Sequence, residues 1–304
     1  MNKKLKGSLI LLLTAFIWGS AFVAQDAGGK YVGPFTFNSV KWIIGTEFLT
    51  PIMLLCKKED SKGNKRPDPF PHKKELMGGI VCGILLFVSS SFQQTGISLY
   101  KDGEAAAGKS GFITALYIVL VPLLGFFLHK RVPVRAWIAI VTAVFGMYLL
   151  CIASSFTLSL ADFLVFLCAV CFAVHILLVD KFSASANVIK FSVVQMTVCG
   201  ILSIISMLIF ETPTLKSISE GAFPLIYAGV FSGGIAYTLQ IIGQKNTDPT
   251  LASVIMSLES VFAAITGAFF GERLSQREIL GCALMFIAVI TAQVDLKKPK
   301  IKNL

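Results

Sequence analysis

Long apolar runs dominate this chain and restrict the folds open to it. Such runs occur at 7–25, 35–56, 75–95, 105–128, 134–153, 160–179, 189–210, 223–243, 251–270 and 278–294. A helix needs about 20 mostly apolar residues to cross the hydrocarbon core of a bilayer. Only 14% of the residues are charged, whereas soluble domains carry about 25%. The sequence predicts an all-α integral membrane protein with ten transmembrane helices.

The basic residues lie mostly between the apolar runs. Lys and Arg number 27 against 17 Asp and Glu. Twenty of the basic residues fall at the two ends and in alternate connections, six fall in the other connections, and Lys41 lies within a run. Because cytoplasmic connections are enriched in Lys and Arg, both termini are predicted to be cytoplasmic, in the plasma membrane. Charge spread in this way forms no nucleic-acid-binding stripe.

The two halves of the chain resemble each other. The segment LLGFFLHKRV at 123–132 aligns with ITGAFFGERL at 265–274, and TAFIWGSAFV at 14–23 aligns more weakly with CAVCFAVHIL at 168–177. With five spans per half, the second copy enters the membrane upside down, as in many transporters. We therefore expect repeats at 1–153 and 154–296, with a cytoplasmic insertion at 57–75 in the first and a basic cytoplasmic tail at 297–304.

The segment GEAAAGKS at 103–110 matches the phosphate-binding pattern G-x-x-x-x-G-K-[ST]. That pattern binds nucleotide only when a buried strand precedes it and a helix follows. Here an apolar run precedes it, and the charge pattern places the connection outside the cytoplasm. No ATP binding is expected.

The cysteines do not indicate a metal or redox site. Cys168 and Cys171 fit C-x-x-C but lie inside an apolar run with no second ligand pair, so they are interpreted as small packing residues. We expect no cofactor and no metal.

Three segments resemble the EamA-type permeases of the drug/metabolite transporter superfamily. They are LLLTAFIWGSAFVAQ at 11–25, GKSGFITALYIVLVPLLGFFLHKRV at 108–132, and SLESVFAAITGAFFGERLSQREILGCALMFIAVI at 257–290. The resemblance implies ten helices in two inverted repeats around a central cavity, and export or exchange of small organic metabolites such as amino acids. Ser260 stands where the family commonly has Pro, which predicts a straighter ninth helix. Lys41 stands where the second helix often carries Arg, so the charge is kept without the guanidinium fork.

Ionisable residues within a span need a partner or a function, because a charge at the bilayer centre is costly. Glu259 matches the Glu of the family's LEP motif, so it either binds a proton or cation in the cavity or packs as a protonated carboxyl. His175 either titrates during transport or bonds a neighbouring helix. Lys41 and Glu47 are too far apart on one helix to pair. Lys41 is expected to snorkel to the outer end, and Glu47 is a third coupling candidate.

Hydrogen-bonding and aromatic side chains within the spans are candidates for a substrate cavity. Tyr237, Gln240 and Gln244 share one helical face, which suits either a cavity or interhelical hydrogen bonds. Trp18 lies too deep for an interfacial anchor and either walls a cavity or packs. The full candidate set is Trp18, Gln93, Gln94, Tyr117, His175, Tyr237, Gln240, Gln244 and Glu259.

The sequence therefore predicts a secondary active transporter of small organic metabolites, not an enzyme, that works by alternating access. Its partners would be a small-molecule substrate, the lipid bilayer and either a proton or a counter-substrate, with the chain a monomer or homodimer. The alternative is a membrane-embedded hydrolase that uses His175 with an intramembrane carboxylate.

Overall fold

The chain folds almost entirely into helices. The computed structural model describes residues 3–59, 65–100, 106–127, 132–151, 159–269 and 275–293. The helices of the first half are α1 (Lys3–Gly29), α2 (Pro34–Leu54), α3 (Lys73–Ser98), α4 (Ala106–Ala115), α5 (Tyr117–Phe127) and α6 (Val134–Cys151). Those of the second half are α7 (Leu160–Ser183), α8 (Val188–Phe210), α9 (Leu215–Glu220), α10 (Ala222–Tyr227), α11 (Tyr237–Gln244), α12 (Pro249–Met256), α13 (Glu259–Phe269) and α14 (Gln276–Gln293).

The helices fall on the apolar runs of the sequence. Within the described part of the chain, 8 helical stretches are long and apolar enough to cross a membrane. The two remaining predicted spans correspond to α2, which has 21 residues, and to the shorter apolar stretch Val134–Leu149 in α6. The connection after α2 was predicted as an irregular insertion. It contains a small antiparallel hairpin of β1 (Lys57–Glu59) and β2 (Lys65–Pro67), with Lys58 opposite Arg66.

Two spans that were predicted to be continuous are interrupted in the middle. The fourth changes from α4 to α5 at Leu116, and the ninth changes from α12 to α13 at Ser257 and Leu258. Near both breaks the backbone forms tighter three-residue hydrogen bonds, such as Leu116 N to Ile113 O and Leu258 N to Ile255 O. The ninth span is therefore not a continuous helix, although Ser260 replaces the Pro that is common in the family. The Ser257 hydroxyl, which donates to Val254 O at 2.9 Å, competes with the regular ladder there.

The eighth span is also irregular. A π-helical segment, Ala228–Ala236, joins α10 to α11. It contains Gly229, Gly233 and Gly234, and glycine lowers the cost of leaving α-helical geometry. A Cβ on Gly229 would lie 2.6 Å from Ile44 Cβ, so this segment packs directly on the backbone of α2.

The two halves of the chain pack against each other along several helix pairs. Helix α3 contacts α7 and α8, α2 contacts α8 and the π-helical segment, α1 contacts α13 and α11, and α6 contacts α14. Gly79 and Gly83 let α3 approach α8 closely. A Cβ on Gly83 would lie 2.7 Å from the Gln195 carbonyl oxygen. We call the contact surface between the two halves the seam. It depends on close helix packing, which small residues permit in membranes.

The bundle has two ends that differ in charge. We call one end the basic face; it carries the start of α1 and the segments 55–59, 65–72, 184–187 and 245–248. The other end, called the opposite face, carries the segments 30–33, 99–100 and 211–214. On the opposite face Glu211 accepts hydrogen bonds from Phe35 N and Thr36 N, each at 2.8 Å. This carboxylate caps the first turn of α2.

Candidate functional site

A cavity lies at the centre of the bundle. Its walls come from both halves of the chain, and on α1 they run from Trp18 to Gln25, toward the opposite face. The lining residues are Trp18, Ala21, Phe22, Gln25, Lys41, Gln93, Thr114, Tyr117, Phe172, Ile176, Ser232, Tyr237, Gln240 and Glu259.

Tyr117 and Glu259 come together at the interruptions of the fourth and ninth spans. Tyr117 is the first residue of α5 and Glu259 the first of α13. The hydroxyl and the carboxyl are close enough to influence each other electrostatically. Within the described chain, neither the Tyr117 hydroxyl nor Glu259 Oε1 has a hydrogen-bond partner of good geometry. Buried polar atoms normally have partners, so these two are available to a ligand.

Helix α13 is held to α4 beside this pair. The Ser260 hydroxyl donates a hydrogen bond of 3.0 Å to the Gly111 carbonyl. A proline at position 260 could not make this contact, since it has no hydroxyl. The departure from the family pattern therefore adds a link between the two interrupted spans.

Tyr237 is the centre of an aromatic cluster on one wall of the cavity. Its ring centroid lies 4.9 Å from that of Trp18 and 5.2 Å from that of Trp42. Offset and edge-to-face arrangements at such distances are favourable. This wall gives the cavity a rigid apolar surface.

Lys41 was expected to snorkel but instead faces the cavity. Its side chain is only 2% exposed, and Nζ lies 4.7 Å from the Trp42 ring centroid and 6.0 Å from that of Tyr237. Snorkelling requires a helix face that reaches water. The rotation of α2 instead turns Lys41 inward, and this rotation is set by contacts with α8 and the π-helical segment. Lys41 is the charged lining residue of the described chain that the candidate set missed.

The cavity includes six of the nine sequence candidates: Trp18, Gln93, Tyr117, Tyr237, Gln240 and Glu259. Gln93 Nε2 donates to Thr114 Oγ1 at 3.2 Å, so this amide is partly engaged. Gln240 Oε1 has no partner in the part of the chain that the structure describes.

The other three candidates lie behind the cavity wall. Gln94 Nε2 donates to Gln25 O at 3.1 Å, and Gln244 Nε2 donates to Ile176 O at 3.0 Å. These are interhelical hydrogen bonds, the structural alternative considered above. His175 is fully buried, with Nε2 3.3 Å from Gln195 Oε1 and its ring edge-on to Tyr237. The His175 ring therefore packs against the Tyr237 ring from outside the cavity lining.

Glu47 lies away from the cavity. It is exposed on the surface of α2, which follows from its six-residue separation from Lys41 on one helix. Of the three coupling candidates, the structure places only Glu259 in the cavity lining.

The basic face is closed by polar contacts between the two halves. Lys190 of α8 is fully buried, and its Nζ lies 2.7 Å from Asp68 Oδ2 in the connection after β2. The Lys190 ammonium, together with the His72 ring, holds the pKa of the Asp68 carboxyl below its ordinary range. Glu75 Oε1 accepts a hydrogen bond of 2.8 Å from Asn187 N.

A second contact on this face involves the end of the eighth span. Lys245 Nζ donates a hydrogen bond of 2.6 Å to Ala186 O. Burial lowers the pKa of Lys245, and the Glu75 carboxylate opposes that shift. Beneath these contacts Cys82, Val179, Ala186, Phe191 and Ile241 form an apolar cluster. Polar and apolar layers thus separate the cavity from the basic face.

The segment that matches the nucleotide pattern has a different role. Ala106–Ser110 belongs to α4, and Gly103–Ala105 lies outside the described residues. Lys109 Nζ lies 2.9 Å from Asp162 Oδ2, and Asp162 also accepts from the Tyr100 hydroxyl at 2.7 Å. This lysine therefore joins α4 to α7.

Cys168 and Cys171, which fit C-x-x-C, lie in α7. Cys168 is buried and Cys171 is partly buried, and both are free thiols. Among the residues that the structure describes, no group of His, Cys, Asp and Glu could hold a metal ion. The packing interpretation accounts for both side chains.

A bundle of apolar helices around a buried polar cavity is the architecture of a membrane transport protein. The profile of the EamA-like transporter family matches residues 5–152 and 159–292. The chain belongs to the EamA-like transporter family.

Individual relatives agree with this assignment. An uncharacterized transporter of Archaeoglobus fulgidus is 29% identical over 290 residues, which cover 95% of this chain and 86% of the relative. The uncharacterized transporter YwfM of Bacillus subtilis is 26% identical over 304 residues, or 96% of this chain and 95% of the relative. A crystal structure of a protein with 20% identity superposes with a TM-score of 0.75 over 95% of this chain and 96% of that chain.

These comparisons establish the general role of the protein. It is a multi-helix membrane transporter, which implies a small-molecule substrate and a lipid bilayer as its surroundings. They point to a transporter and away from the membrane-embedded hydrolase considered above.

Proposed function

We propose that this protein is a secondary active transporter that exports or exchanges small organic metabolites, such as amino acids or related compounds, by alternating access. The observation that carries this proposal is the cavity at the interruptions of the fourth and ninth spans, where Tyr117 and Glu259 meet. Interrupted helices around a central site are typical of secondary transporters built from inverted repeats.

In this proposal ten helices cross the membrane as two inverted repeats, at 1–153 and 154–296. The two blocks matched by the family profile, 5–152 and 159–292, support that division. So does the occurrence of one mid-span interruption in the last-but-one span of each half. The excess of Lys and Arg supports a plasma-membrane orientation with the basic face and both termini in the cytoplasm.

The contacts on the basic face suggest which stage of the cycle the structure represents. Asp68–Lys190, Glu75–Asn187 and Lys245–Ala186 close the cytoplasmic end. The cavity extends along α1 toward the opposite face, up to Gln25. In alternating access the first two of these contacts, which join the two halves, break when the halves rock and the cavity opens inward.

We assign proton coupling to Glu259, because it is the one coupling candidate in the cavity lining. The test uses purified protein in liposomes with a panel of small metabolites, with and without a pH gradient. Glu259→Gln removes the titratable group and should abolish gradient-driven accumulation while substrate exchange continues. Glu220→Gln, at an exposed position on α9, is the matched control.

Two results would contradict the proposal. If no metabolite moves at all through the wild-type protein, secondary transport is wrong. If Glu259→Gln accumulates substrate as well as the wild type does, the coupling role is wrong but transport stands.

A further inference from the structure

Lys41 is a buried cation that faces the cavity. No carboxylate within ion-pair distance of Nζ occurs in the part of the chain that the structure describes. Trp42 and Tyr237 flank the ammonium with ring faces. Aromatic rings offset only part of the cost of burying a charge, and a full offset normally needs an opposite charge.

The other cavity charge does not supply that anion. Glu259 lies with Tyr117 at the helix interruptions, and the ion pairs of the described residues include none between Glu259 and Lys41. An anion within the cavity would balance the charge of Lys41.

From this we infer that the cargo carries a carboxylate that binds the Lys41 ammonium, with its apolar body against the aromatic wall of Trp18 and Tyr237. This inference rests on the proposed transport function and specifies its substrate class. A chloride ion could also neutralise Lys41. The apolar wall formed by the Trp18 and Tyr237 rings favours an organic anion over a single small ion.

The test compares carboxylates with their own amides, which keep the shape and lose the negative charge. Four pairs serve as probes: butyrate and butanamide, 4-methylpentanoate and its amide, 3-phenylpropionate and 3-phenylpropanamide, and L-leucine and L-leucinamide. The thermal unfolding midpoint of the full-length protein in detergent is measured with each probe, with methanesulfonate in place of chloride. At saturation, at least one carboxylate should raise the midpoint about 2–4 °C more than its amide does.

Variants then assign the effect to Lys41. Lys41→Gln should lose the preference for the carboxylate, and Lys41→Arg should keep it because the charge remains. Lys30→Gln, a charge removal at an exposed lysine on the opposite face, should behave as the wild type. The wild-type comparison of acids with amides decides the question even if Lys41→Gln does not fold.

Each contrary result has a distinct meaning. The inference would be overturned if acids and amides raised the unfolding midpoint equally. It would also be overturned if Lys41→Gln kept the preference for carboxylates. If chloride alone raised the unfolding midpoint as much as the best carboxylate does, the site would be one for an inorganic anion, and the inference would be wrong. A transport assay in liposomes tests the substrate class separately from the proposed function. If amides or amines are transported and carboxylates are not, the proposed function stands and the inferred carboxylate substrate class is wrong.

Discussion

Tyr117 and Glu259 begin two half-helices, one in each half of the chain, and their side chains meet at the central cavity. Positions 117 and 259 occupy corresponding places in the two halves, each just after the break in the last-but-one span. The unpaired hydroxyl and carboxyl oxygen are thereby presented to the same ligand.

Tyr117→Phe removes the hydroxyl and keeps the ring that packs in the core. We expect KM for transport to rise about two- to tenfold, the effect of one lost hydrogen bond. Dependence on the pH gradient should persist. Initial uptake rates in liposomes give both quantities. Tyr148→Phe, at an exposed tyrosine on α6, is the control, and an unchanged KM in Tyr117→Phe would mean that the hydroxyl does not touch the cargo.

Asp68→Asn weakens the closure of the basic face, because Lys190 is left fully buried without its carboxylate. Cys82 reports on this, since it is buried in the apolar cluster beneath the contact. With the other cysteines replaced by alanine, we expect a permeant maleimide to label Cys82 several-fold faster in the variant. Asp26→Asn, an exposed carboxylate on the opposite face, should not change the rate. Equal rates in both variants would show that Asp68 does not hold this end closed.

The stabilisation that the Asp68–Lys190 pair contributes should also depend on pH in a defined range. The pKa of Asp68 is lowered in the folded protein, so its contribution to stability is complete above the unfolded pKa of about 4. The contribution is lost as the pH falls through the lower folded pKa. The difference in unfolding midpoint between wild type and Asp68→Asn should stay constant from about pH 5 to 8 and shrink below about pH 4. A difference that disappears near neutral pH would point to another titrating group.

Gly83→Ala tests the seam between α3 and α8. The added Cβ would lie 2.7 Å from the Gln195 carbonyl oxygen, and a backbone atom cannot move aside cheaply. Overpacking of this kind costs about 1–3 kcal/mol, so the unfolding midpoint should fall. Gly108→Ala is the matched control, because nothing lies within 4 Å of a Cβ there. A midpoint in Gly83→Ala equal to that of the control would mean that this seam is loosely packed.

The helical architecture and much of the cavity could be predicted from the sequence. Apolar length and basic connections locate the helices without knowledge of their contacts. Trp18, Tyr237 and Glu259 could be selected because polar and aromatic groups deep in apolar runs either line a cavity or join helices, and these three line the cavity.

Other features depend on contacts that no local pattern encodes. Lys41 and Glu47 lie on different faces of α2, and only packing against α8 decides which face turns inward. The Asp68–Lys190 pair joins residues 122 positions apart, and neither local sequence indicates the partner. The breaks at Leu116 and Ser257 lie in stretches whose composition is typical of continuous helices.

The π-helical segment Ala228–Ala236 explains how Ser232 reaches the same cavity as Tyr237 and Gln240. In an α-helix, residues five apart point in different directions, whereas in a π-helix they are hydrogen-bonded neighbours. The same residues wound as α-helix would turn Ser232 about 140° away from Tyr237 around the helix axis. A change in backbone geometry alone, with no cavity side chain replaced, would then present a different surface to the cargo.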